Sequence, residues 1–318
     1  MIVYLDQNKW IELARMVNRR DDSNRARRVV RDFDATVERG TVSVPLSAIH
    51  YMETARISNV SRRSRLGAVM WRYSKGITIA GYPAVVQYEL EVALSKHFPQ
   101  VVPHELTLLG RGSAHAFGMP SLRGLLSHFE EEVERSMLTG SKALNIDPPS
   151  FRSSRHQENF KNHLGSLHSR KNDLPKHLWE NWLYATLMAD IAQPLSEVMQ
   201  RFDLPAEALG NLGEARLKKV IDDMPTRRVD FHLHKQVLKN PNYLSRITDL
   251  EDWAGLILAS CYCDVVICEK HMASMLQRGG HQSRARIETN LEKTFLLVDG
   301  AQPAGVGCAV RTRNKGYH

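Results

Sequence analysis

Residues 249–270 read DLEDWAGLILASCYCDVVICEK: an apolar helix opened by acids, then a short strand, VVIC, that runs into Glu269. A helix leading into a buried strand is half of a βαβ unit, and it argues for a parallel sheet covered by helices. The opening of the chain has the complementary half. IVYL (residues 2–5) is a run of β-forming residues ending at Asp6, and Trp10, Leu13, Ala14 and Val17 then follow at helical spacing. Residues 25–39 continue as an amphipathic helix on Val29, Val30, Phe33 and Val37, closed by Gly40. VSVPL (42–46) predicts a second buried strand, Ser47 a helix N-cap, and AIHYMETARI (48–57) a helix carrying Glu53. A basic helix over 62–74, Gly76 and the strand-like ITIAGY (77–82) complete an alternating pattern.

The middle of the chain differs. VVQYELEVALSKHF (85–98), LRGLLSHFEEEVERSML (122–138) and LWENWLYATLMADI (178–191) are helical in period, separated by Gly-, Pro- and Ser-rich breaks at 110–121, 145–157 and 203–213. The expected organisation is therefore an α/β core from residues 1–82 and 240–300, a mostly α-helical insertion over 83–239, and a flexible basic tail over 301–318. TFLLVDG (294–300) reads as the last strand.

Composition narrows the function classes. The formal charge is +8, with arginine in blocks: Arg15, Arg19, Arg20, Arg25, Arg27, Arg28 and Arg31, then Arg56, Arg62, Arg63 and Arg65. Guanidinium forks suit phosphate oxygens, so a nucleic-acid partner is expected, with Arg19, Arg20, Arg27, Arg28, Arg56, Arg62, Arg63 and Arg65 as its contacts. Solvated helix faces account for the same composition. The longest apolar run, residues 253–263, is too short to span a bilayer, and MIVYLDQNKW has no signal-peptide pattern. No membrane partner and a cytoplasmic location are expected. The four cysteines lack zinc-site spacing and read as buried thiols.

The acids carry the chemistry. Asp6 and Glu269 stand at strand ends, where open parallel sheets keep their sites. Asp252 falls in the first turn of the helix before the late strand, with Asp249 three residues earlier, and Glu53 lies about two turns into its helix. Carboxylates gathered in one place repel unless a cation neutralises them, and hard oxygen donors suit Mg²⁺ or Mn²⁺. Taken singly, Asp249 reads as a cap and Asp264 sits at the wrong end of its strand.

YLDQNKWI, VPLSAIHYMETAR and DLEDWAGLILASCYCDVVICEK together resemble the motifs of PIN-like nucleases. That resemblance implies a Rossmann-like PIN fold and metal-dependent hydrolysis of phosphodiester bonds, most often in RNA. Asp6, Glu53, Asp252 and Glu269 match the acidic tetrad, Asp249 is an extra or alternative metal ligand, and Asn8 and Ser47 match supporting polar positions. The fourth acid is Glu269 where the family usually has Asp, and the insertion is larger than in compact toxin-type members. A toxin or defence role and a homo-oligomer are compatible with the resemblance. The rival readings are a non-catalytic nucleic-acid-binding scaffold and a DNA-directed nuclease. Elsewhere, His232 and His234 form an HxH read as loop or strand with a non-catalytic role. GRGSAHAFG (110–118) lacks the context of a phosphate loop, and Trp179 and Trp182 read as packing residues.

Overall fold

The structure, a computed structural model, describes residues 1–119, 129–141, 146, 158, 162–165, 173–240, 243, 249–278 and 283–294, without the side chains of residues 249–251. Strand β1 (Val3–Leu5) leads to helices α1 (Gln7–Val17), α2 (Asn24–Glu38), α3 (Ala48–Ala55) and α4 (Val60–Ser74), then β2 (Ile77–Ile79) and α5 (Tyr82–Ser95). β3 (Leu109–Arg111), α6 (Gly112–Phe117) and α7 (Glu130–Thr139) follow. The helical stretch holds α8 (Trp179–Asp190), α9 (Ala192–Arg201), α10 (Ala206–Gly210), α11 (Gly213–Asp222) and α12 (Pro225–Lys239). The chain then returns through α13 (Asp249–Tyr262), β4 (Val265–Ile267), α14 (Lys270–Gln277) and β5 (Arg286–Glu288).

β1, β4 and β5 form a three-stranded parallel sheet in that order, with Val3 opposite Val265 and Val265 opposite Arg286. β2 and β3 pair antiparallel. Single bridges, Ile2 to Ser43 and Leu46 to Thr78, join the two sheets through residues 43–46. That segment is the expected second strand, reduced to bridges because Pro45 has no N–H to give a ladder. The result is an α/β fold dominated by helices.

Period-two alternation decides which helices cover which face. Val3, Leu5, Val265 and Ile267 pack against Trp10, Leu13, Phe33 and Met70 of α1, α2 and α4. Tyr4, Val266 and Ile287 pack on the opposite face against Trp253 and Leu256 of α13 and Leu233 and Val237 of α12. Within the middle region, α12 packs into the same core as the parallel sheet, and β3 pairs with β2 in the second sheet. A further cluster, built on Leu90, Leu94, Leu187 and Ile221, holds α5, α8 and α11 together. No helix among the described residues is long and apolar enough to cross a membrane.

Several local expectations meet a different outcome. His232 and His234 lie on α12, not on a loop or strand, as Val229, Leu233 and Val237 at helical spacing require. Arg286–Glu288 is a strand that the reading overlooked, while 295–300 and the tail 301–318 lie outside the described residues. Within GRGSAHAFG, Gly110 lies against the His115 ring, which leaves no room for a Cβ, and His115 binds Thr78 and the Thr107 carbonyl. That loop is packing. Cys261, Cys263 and Cys268 are free and buried, as expected.

Candidate acidic site

The sheet register sets Asp6 and Glu269 side by side. Leu5 lies opposite Ile267, so Asp6, one residue beyond β1, and Glu269, two residues beyond β4, leave the sheet at the same carboxyl end, and the Asp6 N–H donates to the Ile267 carbonyl at 2.9 Å. Asp6 is the N-cap of α1, its Oδ1 accepting the Gln7 N–H at 2.8 Å, and Glu269 is the N-cap of α14. Two helix N-termini therefore face one edge, each with partial positive charge. Asp264 lies at the opposite edge, where it accepts the Ile2 N–H at 2.7 Å.

Asp6 is buried. Desolvation, with the Glu269 charge adding to it, pushes its carboxyl up to about 6, against the pull of the Gln7 N–H and Lys9. Asn8, exposed, holds the other acid: its Nδ2 donates to Glu269 Oε1 at 2.7 Å.

The remaining acids of the expected set are tied to this region through their charges on neighbouring groups. Burial raises the Tyr4 phenol well above its usual range, and both the Asp6 and Glu53 charges add to the rise. Burial also pushes the Cys268 thiol up to about 12, with Asp6, Glu269 and Asp252 adding to it. Asp6 is common to both fields, so Glu53 on α3 and Asp252 on α13 lie within electrostatic range of the β1–β4 end. Both are half-buried. The side chain of Asp249 lies outside the described residues, so Asp252 is the acid of that helix with a described field at the site.

Close packing brings α13 in. Gly255, one turn after Asp252, lies against the Tyr4 hydroxyl, and an added Cβ would stand 2.6 Å from Tyr4 Oη. Tyr4 cannot yield freely, because that hydroxyl bonds Ser47 Oγ at 3.0 Å. Gly255→Ala is expected to cost about 1–3 kcal/mol by overpacking. Tyr4→Phe removes the clashing atom, so in urea melts the double variant should cost less than the two singles added; additive costs would sink this account.

His50 was missed by the sequence reading. Fully buried, it accepts the Ser47 N–H on Nδ1 at 2.9 Å, which leaves Nε2 to donate to the Leu5 carbonyl at 2.8 Å. It pins the start of α3 to the last residue of β1, and burial holds its ring down at about 4, neutral. Ser47 is the N-cap of α3, as expected. Lys9 and Glu288 were also passed over. Glu288 ends β5 beside the site but is neutralised by Arg286 at 2.8 Å and Lys293 at 2.8 Å.

Of the expected nucleic-acid arginines, Arg63 is half-buried and donates to the Thr139 and Ile57 carbonyls, both at 3.3 Å, so it ties α4 to the end of α7. Arg19, Arg20, Arg27, Arg28, Arg56, Arg62 and Arg65 are exposed, and Arg27 forks onto the exposed Asp22 at 3.0 and 2.9 Å.

The donor chemistry suits a hard divalent cation, and the raised Asp6 beside Glu269 is a charge conflict that such an ion relieves. Among the described residues, however, no three His, Cys, Asp or Glu side chains close into a group that could hold an ion. As the side chains stand, Asp6 and Glu269 make a pair rather than a cage. No protein-family model matches the sequence, and no curated protein and no solved structure matches it.

Proposed function

We propose that the chain is a PIN-like nuclease that uses Mg²⁺ or Mn²⁺ to hydrolyse phosphodiester bonds in RNA. The single observation that carries this reading is the buried Asp6 carboxyl, pushed up to about 6 beside Glu269 at the shared end of two parallel strands. Asp6 and Glu269 would hold the ion, with Glu53 and Asp252 completing the donor set. A bound divalent cation supplies an acidified water and offsets charge on the phosphate. The protein's own side chains do the rest. Asn8 fixes the Glu269 carboxylate, Lys9 offsets part of the acidic field, and His50 keeps α3, and so Glu53, against β1. Exposed Arg56, Arg62 and Arg65 follow Glu53 along the chain and would take the phosphates on either side of the cut, positioning the strand without reading its sequence. The net charge of +8 favours the encounter.

The absence of a closed three-acid group among the described residues favours a second reading, a non-catalytic RNA-binding scaffold. Cleavage assays on single-stranded RNA, tRNA, single-stranded DNA and flapped DNA, each with Mn²⁺ or with chelator, separate the two. The nuclease reading expects RNA products only with the ion. Binding without products in any tube favours the scaffold, and products from DNA alone make the chain a DNA nuclease.

A further inference from the structure

Helix α14 leads away from Glu269, and a cleft of about 280 Å³ opens beside it, against the C-terminal end of α12. That volume is just under the range of pockets that enclose a whole ligand, so the cleft suits one group of a longer chain. Its floor is held in place. Met275 and Tyr243 are buried, and His232 Nε2 donates to the Met275 carbonyl at 2.9 Å, which ties α12 to α14. The His271 and Tyr243 rings stack, their centroids 6.1 Å apart.

The rim carries charge of one sign. Lys239, Arg278 and His271 line it and, among the described residues, no acid does. Lys239 and Arg278 are exposed, and among the described residues neither has a carboxylate partner. Two cations earlier on α12 are paired, Arg227 with Asp230 at 3.1 Å and Lys235 with Glu180 at 3.3 Å. Lys239 sits in the last turn of α12, and Arg278 is the C-cap of α14. Each such helix end carries roughly half a negative charge, so two full cations leave about one positive charge over. A phosphodiester carries one negative charge and matches that surplus. The Arg278 fork, the Lys239 ammonium and the Gln236 amide supply donors for its two unbridged oxygens.

The sequence fixes where the cleft lies relative to the acids. His271 stands two residues after Glu269 and Met275 six, so the cleft begins about 3 Å along α14 and reaches at least about 9 Å. We propose that this cleft is a phosphate subsite for the substrate strand, in which Lys239 and Arg278 hold a backbone phosphodiester about one or two nucleotides from the scissile one. This placement rests on the nuclease reading above. α12 covers the face of the sheet opposite α4, so a strand held by the cleft and by Arg62 and Arg65 would cross the end of the sheet at Asp6 and Glu269.

The test uses the full chain. With chelator present, so that nothing is cut, anisotropy of a labelled single-stranded RNA is followed over a salt series. Lys239→Gln combined with Arg278→Gln should lower the slope of log affinity against log salt by about 0.7, the loss of one phosphate contact to a single strand, and so weaken binding about fivefold at about 0.1 M salt. The charge-conserving pair, Lys239→Arg with Arg278→Lys, should keep the wild-type slope. An unchanged slope in the first pair, or an equal loss in the second, overturns the subsite. In Mn²⁺, RNAs with one uncharged methylphosphonate link at successive positions locate the contact. Wild type should cut poorly when that link lies one or two nucleotides from the cut, and the neutral pair should be indifferent to it. Cutting by wild type that ignores every such link keeps the nuclease and removes the subsite. No cutting of any RNA, with the salt slope still reduced in the neutral pair, removes the nuclease and keeps the cleft as a phosphate contact of an RNA-binding scaffold. Calorimetry with inorganic phosphate separates a free anion from a strand: binding that the neutral pair loses, with its RNA slope unchanged, assigns the cleft to the free ion and overturns the proposal.

Discussion

Asp6→Asn is expected to abolish cation-dependent RNA cleavage and, in the same molecule, to stabilise the cation-free fold. The loss should be on the order of 10³-fold or more in kcat, the scale of removing a charged group from a preorganised site. RNA binding should stay within about threefold of wild type, because phosphate contacts supply most of the affinity. The gain in stability follows from burial. The Asp6 carboxyl is pushed up to about 6 in the folded chain against 3.8 as its ordinary value, so the folded state binds this proton more tightly. Its contribution is fully present below pH about 4 and is lost as pH rises through about 6, a change of about 3 kcal/mol. At pH 7.5 the wild type carries that cost and Asn does not. Thermal melts at pH 7.5 should therefore show the variant melting higher without a divalent ion. Adding Mn²⁺ should raise only the wild type, by about 3 kcal/mol at a hundredfold excess over Kd. A variant that melts lower than wild type in chelator would remove the idea that Asp6 is strained for a cation.

His50→Ala should be the most damaging substitution for the fold. The imidazole is fully buried and spans two elements 42 positions apart on its two nitrogens, the Leu5 carbonyl and the Ser47 N–H. Truncation opens a cavity beside Tyr4 and Trp10, whose rings lie 5.0 and 6.2 Å away, and orphans two buried backbone groups. About 3–5 kcal/mol is expected, read as a fall in the urea midpoint at constant slope. The pH dependence runs opposite to that of Asp6. His50 is held down at about 4 against an ordinary 6.5, so its stabilising neutral form is present above pH 6.5 and lost as pH falls through about 4. Between pH 4 and 6 the two groups offset each other at about 3 kcal/mol each. Wild-type stability should be nearly flat there. Asp6→Asn should then reveal a fall on acidification, and His50→Ala a rise. Parallel slopes in the two variants would contradict the assignment.

Those two residues also mark how far the sequence could be read. Asp6 was legible as the residue where a β-forming run stops and a helical period begins at once, and the Ser47 N-cap was legible from the helical period that follows it. His50 was not. A single histidine on a helix looks alike whether it faces solvent or a strand, and only the sheet brings Leu5 above it. The three-residue strands β3 and β5 escaped because a period of two needs more residues to be seen. The arginine blocks left phosphate contact and solvated helix faces as equal readings, and the tie of Arg63 to two carbonyl groups is a partner that composition does not reveal. The cavity among the helices was illegible for a similar reason: Tyr82, Asp190, Arg227 and Trp253 come from separate helices and meet only through packing.

Strand β1 lies between residue 43 on one side and β4 on the other. Its second neighbour is synthesised some 260 positions later, since Val3 pairs with Val265. At about 5–20 residues per second, a ribosome needs roughly 15–50 s to supply it. Until then the apolar residues of β1 have no β4 beside them, and Asp6 has no Glu269. A chain interrupted anywhere before residue 269 therefore lacks the pairing of Asp6 with Glu269, and the acidic pair assembles only after the segment that carries β4 has been made.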